Sequence, residues 1–136
     1  MSEQVLNLFL LKFENKDTKA ELIELVDKDR DYAENCIYVC ELGNAAIIKE
    51  KATDLAVLAK KKGYKYALID GFTPMVAILE VKLREYGVIP VYPLVYPKTR
   101  INTKISGKYD LNVTNILIGF VEGTVVSTKE EVSIIF

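Results

Sequence analysis

The alternation of apolar runs with segments of helical periodicity is the sequence feature that most constrains the fold. Residues 46–63, AIIKEKATDLAVLAKKKG, are the clearest helical segment, because apolar residues recur at helical spacing and lysines occupy the last turn. Gly63 suits the C-terminal cap of that helix. The apolar run KYALID, residues 65–70, follows directly and is typical of a buried strand. Such alternation predicts a mostly parallel sheet with right-handed crossovers.

The same pattern extends over most of the 136 residues, a length that predicts one domain, 1–136. It predicts further strands at 4–11, 35–42 and 89–96, and further helices at 14–29 and 73–87. After Tyr96 the pattern becomes an antiparallel hairpin, with a turn at 107–110, and residues 123–136 add another strand or hairpin. We therefore predict an α/β fold: a Rossmann-like, mostly parallel sheet flanked by helices over 1–96 (βαβαβαβ), with a C-terminal antiparallel β-hairpin extension over 97–136. Three prolines of the fourth strand, at 90, 93 and 97, indicate an edge position or an early exit from the sheet.

Composition excludes several kinds of chemistry. The chain has no histidine, which excludes Ser-His-Asp and Cys-His relays, an imidazole base and a histidine-ligated metal. The formal net charge of −1 argues against nonspecific electrostatic binding to duplex DNA or to an anionic membrane. Cys36 and Cys40 are predicted to be buried, reduced core residues of a strand, since two thiols fall short of a zinc site. We expect a cytoplasmic protein, because no secretion signal or membrane span is evident.

The carboxyl ends of parallel strands are where ligands of such sheets gather. In this chain the four predicted ends suit a phosphate-bearing ligand with flat bases, because they supply cations, amide and hydroxyl donors, and aromatic rings. The residues at these ends are Lys12, Phe13, Glu14 and Asn15; Glu41, Leu42, Gly43 and Asn44; Asp70, Gly71, Phe72 and Thr73; and Tyr96, Pro97, Lys98, Thr99 and Arg100.

Two of these segments allow a plainer interpretation, and the sequence leaves both open. The stretch LIDGFTPM, 68–75, either presents a helix N-terminus to an anion or is a tight strand-to-helix turn capped by Thr73. The alternating residues Arg100, Asn102 and Lys104 form either a phosphate-facing ribbon or the solvated face of an edge hairpin. The lysines at 60–62 and the charged residues between 80 and 85 are interpreted as helix-end and solvated-face residues. Asp70 and Glu41 are a further candidate carboxylate pair.

The chain resembles the small CRISPR-associated Rossmann-like proteins, which include the stand-alone ring nucleases of type III systems and are related to CARF sensor domains. The resemblance spans roughly residues 5–123 and is strongest over 66–123. It rests on LNLFLLKF in the first strand, DGFTPM at the third strand end, YGVIPVYPLVYPKTR, and the hairpin KTRINTKISGKYDLNVTNILIGFVEG.

The resemblance implies that a homodimer binds a cyclic oligoadenylate (tetra- or hexa-adenylate) and opens the ring without a metal. A ribose 2′-hydroxyl would attack the adjacent phosphate, which requires positioning and charge stabilisation more than a histidine. The cations Arg100, Lys98 and Lys12 are the implied catalytic candidates. The implied ligand-binding residues are Phe13, Asn15, Asp70, Gly71, Phe72, Thr73 and Thr99, and the strand ends and the alternating ribbon add Gly43, Asn44 and Asn102. No cofactor is expected.

The chain departs from the family at two places, and its tail beyond residue 123 has no familiar counterpart there. Many small members carry a Ser-His pair after the first strand, where this chain has the residues 12–15, KFEN. The histidine usual near the return strand is also missing from 116–119. A non-catalytic sensor or messenger sponge therefore stands as an alternative, as does a small α/β protein whose apolar tail assembles with a partner.

Overall fold

The computed structural model describes residues 3–13, 15–42, 44–71, 74–103 and 109–122, with the backbone alone at 41–42, 97–103 and 109–115. Six strands and three helices lie in this part of the chain. In chain order they are β1 (Gln4–Asn7), β2 (Asn15–Lys16), β3 (Glu21–Glu24), α1 (Asp27–Leu42), α2 (Ala45–Lys62), β4 (Tyr66–Leu68), α3 (Pro74–Glu85), β5 (Ile89–Thr103) and β6 (Tyr109–Glu122).

The strands form one sheet in the order β2-β6-β5-β4-β1-β3. Strand β1 pairs in parallel with β3 and β4, β4 pairs in parallel with β5, and β2 pairs in parallel with β6. The β5–β6 pair is antiparallel and runs from Val91 opposite Glu122 to Thr103 opposite Tyr109. The predicted fold class is confirmed: the protein is α/β, with a mostly parallel sheet flanked by helices and an antiparallel C-terminal pair.

The sheet is curled, and its connections show why. Strands β2 and β3 lie at opposite ends of the strand order, yet only residues 17–20 join them. Five strand spacings of a flat sheet measure about 24 Å. The chain has five residue steps from residue 16 of β2 to residue 21 of β3, and these reach at most about 18 Å when fully extended. The two edges must therefore approach each other, and the sheet bends to allow it.

The curl separates the apolar interior into two cores. In β1 and β4 alternate residues face opposite sides, as the two-residue period of a strand requires. Leu6 and Ala67 pack with residues of all three helices. Their neighbours Val5 and Leu68 pack instead with Leu117 and Phe120 of β6 inside the curl. The helices thus cover one side of the sheet, and the sheet itself encloses the other core.

The two longest periodic segments fold as predicted. Helix α2 begins after Asn44, whose side chain accepts a hydrogen bond from the Ile47 amide at 3.1 Å. It ends at Gly63, where φ is +79° and the amide bonds the Lys60 carbonyl. This is the left-handed helix end for which glycine is favoured. Helix α3 begins at Pro74, a position where the missing amide hydrogen costs nothing.

The predictions for residues 14–42 are wrong in their element types. Part of the predicted helix at 14–29 is extended instead, in β2 and β3, where Leu22 packs inside the curl and Ile23 on the helix side. The predicted strand at 35–42 is the second half of α1. Cys36 and Cys40 are buried and free, as predicted, but they lie one turn apart on this helix. Contacts of α1 with α2 outweigh the strand preference of Ile, Tyr and Val in this stretch.

Strand β5 does not end at Tyr96 but continues without a break to Thr103. It pairs with β4 over Ile89–Val91 and then leaves the parallel sheet while it remains paired with β6. The predicted early exit is therefore observed, and the edge position is not, because β5 lies between β4 and β6. Pro93 and Pro97 come after the exit, where β6 is the one neighbour that the described residues provide. The predicted turn at 107–110 lies largely, and the tail at 123–136 wholly, outside the described residues.

Candidate functional site

Four parallel strands reach the same level at one edge of the sheet. The register places Glu24 of β3, Asn7 of β1, Leu68 of β4 and Val91 of β5 in one row. The loops that follow β1, β3 and β4 therefore leave the sheet side by side. This edge is the one at which open parallel sheets bind ligands.

The loop that follows β1, residues 8–13, is held by the buried side chain of Asn7. The Asn7 Oδ1 accepts a hydrogen bond from the Leu11 amide at 2.9 Å, and its Nδ2 donates to the Leu11 carbonyl at 2.7 Å. The same Nδ2 reaches the Glu24 carboxylate of β3 at 3.0 Å. Leu10, inside the loop, has φ of +56°, a left-handed conformation that costs a non-glycine residue roughly 1–2 kcal/mol. Asn7 thus fixes a strained loop and ties it to the edge strand.

Three cavities adjoin this loop. One of about 280 Å³ lies between the loop, α1 and α3, and its wall includes Phe9, Cys40, Asp70 and Gly71. A second of about 820 Å³ lies between the loop and α1. A third of about 360 Å³ has a polar wall formed by Lys12, Lys16 and Glu24, together with Phe13 and two leucines. The cavities share residues of the loop, so one short segment shapes all of them.

Asp70 and Gly71 follow β4 and lead toward α3. Gly71 has φ of +108°, which only glycine adopts readily. A Cβ at this position would meet the nearest atom, Cγ2 of Val76, at 3.8 Å, an ordinary contact distance. The requirement for glycine here is conformational, and close packing is not the reason. Asp70 is exposed and lines the 280 Å³ cavity.

A partly buried polar pair joins α3 to β5. The Tyr92 hydroxyl of β5 donates a hydrogen bond to the Glu80 carboxylate of α3, which is 8% exposed. The sequence had indicated that Glu80 belongs to a solvated helix face, and this prediction is wrong because Glu80 is buried. Burial raises the pKa of Tyr92 well above its usual range, and the charges of Glu80 and Asp70 raise this pKa further. Tyr92 consequently remains a neutral donor at any physiological pH, and its hydrogen bond to Glu80 links β5 to α3.

Four of the residues predicted for the site, Lys12, Phe13, Asp70 and Gly71, line the cavities around the loop. Asn44 lies between α1 and α2 and caps a helix, so it does not follow a strand end as predicted. Asn15 is exposed on β2 opposite Ile116, and Glu41 belongs to α1.

The remaining predicted residues lie either where the structure describes the backbone alone or outside the described residues. The backbone of β5 carries Lys98, Thr99, Arg100 and Asn102, opposite Thr114, Val113, Asn112 and Asp110 of β6. Gly43, Phe72, Thr73 and Glu14 lie outside the described residues.

Sequence reasoning missed Asn7 and the whole contribution of α1. Asn7 had a visible signal, since it is the one polar residue within the apolar run 5–11, VLNLFLL. A polar side chain in such a run is buried only if it is hydrogen-bonded. The α1 residues beside the loop had no such signal, because the segment was predicted as a strand.

Fold and site together define an α/β protein with a curled, mostly parallel sheet and ligand-sized cavities at its carboxyl edge. The chain matches no protein-family model, no curated protein and no solved structure. Among the residues that the structure describes, no helix is long and apolar enough to cross a bilayer. The same residues contain no group of three acidic or thiol side chains placed to hold a metal ion.

Proposed function

We propose that the protein binds a cyclic oligoadenylate second messenger of type III CRISPR systems and opens its ring without a metal. The observation that carries the proposal is the convergence of three cavities on the loop 8–13 at the carboxyl edge of the sheet. Three cations, four carboxylates and three aromatic rings line these cavities, and the cations and rings suit a ligand with alternating phosphates and flat bases. The resemblance of the chain to ring nucleases supplies the identity of that ligand.

The proposed reaction is an internal transfer at phosphorus. A ribose 2′-oxygen forms a bond to the adjacent phosphorus, the bond from phosphorus to the 5′-oxygen breaks, and the 2′-hydroxyl proton ends on that leaving oxygen. The products are a 2′,3′-cyclic phosphate and a free 5′-hydroxyl. The protein has to align these atoms and stabilise charge on the phosphoryl oxygens. In this proposal Lys12 of the loop and Lys98 and Arg100 of β5 stabilise the charge on the phosphoryl oxygens.

The proposal includes a cytoplasmic homodimer in which two copies share one ring. Light scattering of the protein saturated with cyclic tetra-adenylate is expected to give the mass of two chains. A monomer under these conditions would exclude a shared ring.

The direct test is incubation of the purified protein with cyclic tetra-adenylate and cyclic hexa-adenylate in the presence of EDTA. We expect linear products that end in a 2′,3′-cyclic phosphate. Binding without product identifies a sensor or sponge instead, and the absence of binding to either ring refutes the proposal.

Replacing Lys12 with alanine is expected to weaken binding of the cyclic adenylate on the order of tenfold, because a charge-assisted bond to phosphate is lost. Lys61→Ala is the matched control, since Lys61 is an exposed lysine in the last turn of α2, outside the three cavities at the loop. Calorimetric titration of both variants measures the difference. Equal losses in the two variants would show that general charge, and not the loop, attracts the ligand.

Cys40 offers a native reporter of the 280 Å³ cavity. Burial raises the pKa of the Cys40 thiol, and the nearby Cys36 raises it further. Because the thiolate is the reactive form, alkylation is expected to be slower at pH 8 than for a free cysteine and to accelerate at higher pH. Bound cyclic adenylate is expected to slow it again by covering the cavity. Mass spectrometry of peptides from the iodoacetamide-treated protein measures the rate at Cys40 with Cys36 in place, and an unchanged rate at saturating ligand would place the ligand elsewhere.

A further inference from the structure

The largest of the cavities at the carboxyl edge is formed by the loop 8–13 and by α1. It measures about 820 Å³, within the usual range for small-molecule sites. Its polar and aromatic wall residues are Phe9 and Lys12 from the loop, and Arg30, Asp31, Glu34, Asn35 and Tyr38 from α1. Lys12 was predicted from a strand end, whereas the α1 wall belongs to a segment that had been predicted as a strand.

Tyr38 is the most distinctive residue of this cavity. Its ring is 59% exposed although the side chain is large and aromatic. The same cavity contains Phe9, which is partly buried against the main core. Exposed aromatic rings are favourable stacking partners for nucleobases, because every base has a flat π-face.

The polar residues of the α1 wall complement a nucleotide. Glu34 and Asn35 supply an acceptor and an amide, the groups that pair with the edge of a base bearing an exocyclic amine. Arg30 lies eight positions before Tyr38, which is about 12 Å along a helix. Its ion pair with Asp31 is 3.7 Å long and exposed at both ends, so a phosphate displaces it at little cost. Lys12 supplies a second cation from the loop.

The loop wall of the cavity is formed before any ligand arrives. The hydrogen bonds of Asn7 fix Leu11 on both its amide and its carbonyl, and Leu10 is held in a left-handed conformation. Strain of this kind collects at ligand sites when the surroundings impose it. A preformed wall lowers the ordering cost of binding.

We propose that this cavity is a purine-nucleotide pocket, in which Tyr38 stacks on the base, Asn35 and Glu34 contact the base edge, and Lys12 and Arg30 bind phosphate. The choice of adenine over guanine rests on the proposed function. The pocket then holds one adenylate unit of the ring. The stacking and phosphate contacts apply equally to a free nucleotide.

The test compares tyrosine variants of α1 in titrations with ATP, GTP and cyclic tetra-adenylate. Tyr38→Ala is expected to weaken binding about tenfold through the loss of one stacked base. Tyr38→Phe keeps the ring and is expected to stay within about twofold. Tyr32→Ala is the matched control, because Tyr32 is an exposed tyrosine of the same helix that lines a separate cavity between α1 and α2. Thermal melting confirms that all three variants remain folded.

The outcomes separate the pocket from the proposed function. Tyr38-dependent binding of ATP or GTP without binding of the cyclic adenylate supports the pocket and refutes the ring nuclease. Binding of the cyclic adenylate that is insensitive to Tyr38→Ala refutes the pocket and leaves the proposed function standing. Binding of none of the three nucleotides at millimolar concentration refutes both.

Discussion

Replacement of Asn7 by aspartate is expected to lower the free energy of unfolding by roughly 3–5 kcal/mol at pH 7, the cost of an unpaired buried charge. Asn7 is fully buried, and its Nδ2 donates to both the Leu11 carbonyl and the Glu24 carboxylate. An aspartate has almost the same shape but cannot donate when ionised, and it faces the negative charge of Glu24. Urea unfolding followed by circular dichroism measures the loss.

A second substitution tests whether the Glu24 contact is responsible. In the Asn7→Asp, Glu24→Gln double variant the new amide donates to the new carboxylate, which reverses the direction of the bond. We expect part of the stability to return, with a coupling energy of about 1–3 kcal/mol. Asn35→Asp makes the same chemical change at an exposed position of α1 and is expected to alter stability by about 0.5 kcal/mol or less. Equal effects of Asn7→Asp and Asn35→Asp would contradict the structural role of Asn7.

Phe120→Ala is expected to reduce the free energy of unfolding by about 3–5 kcal/mol, a large share of the roughly 5–15 kcal/mol that stabilises a typical domain. Phe120 is fully buried in the core inside the curl, where it packs with Val5, Leu68 and Leu117. Truncation to alanine leaves a cavity that the sheet cannot fill, because its curvature is set by strand pairing. Thermal and chemical denaturation both report the change.

The control for this prediction lies two residues away in the same strand. Ile118 is the extra residue of an irregularity in β6, since Leu94 pairs with Gly119 and Val95 with Leu117. Its side chain is 39% exposed. Ile118→Ala is expected to cost about 1 kcal/mol or less. A loss at Ile118 as large as that at Phe120 would mean that the exposed side of β6 carries the stability.

The parts of the fold that were predicted correctly are those in which pattern and packing agree. Helix α2 buries residues at helical spacing, such as Ala52, Leu55 and Ala59, and ends on a glycine that needs its left-handed conformation. Strand β4 is buried at every position, which a continuous apolar run indicates. In both segments local propensity and tertiary contact favour the same structure, so periodicity alone is sufficient.

Residues 14–42 could not be assigned because their local pattern supports two structures. Ala33, Cys36, Ile37 and Cys40 have helical spacing and pack on the helical side of the core. The run Ile37, Tyr38 and Val39 is β-branched or aromatic, and it favours a strand. In 21–24 the alternation of sides is that of a strand, although the sequence ELIE also suits a helix. Only contacts with distant segments decide between these structures.

The candidate site was predictable to the extent that it depends on strand ends. Lys12, Phe13, Asp70 and Gly71 follow β1 and β4, so the parallel order brought them to one edge. The α1 wall of the largest cavity could not be predicted while that segment was assigned to a strand. The structural role of Asn7 could have been predicted, because a single amide in an apolar run requires buried hydrogen-bond partners.

The short connection between β2 and β3 has a consequence for how a ligand reaches the site. The loop 8–13 runs from β1, deep in the strand order, to β2 at one edge, and residues 17–20 then return the chain to β3 at the other edge. The chain is therefore held at both edge strands, and the hydrogen bonds of Asn7 hold the loop at a third point. A loop held in this way does not open as a hinged lid does. We therefore expect a ligand to enter and leave the cavity between the loop and α1 without displacement of the loop.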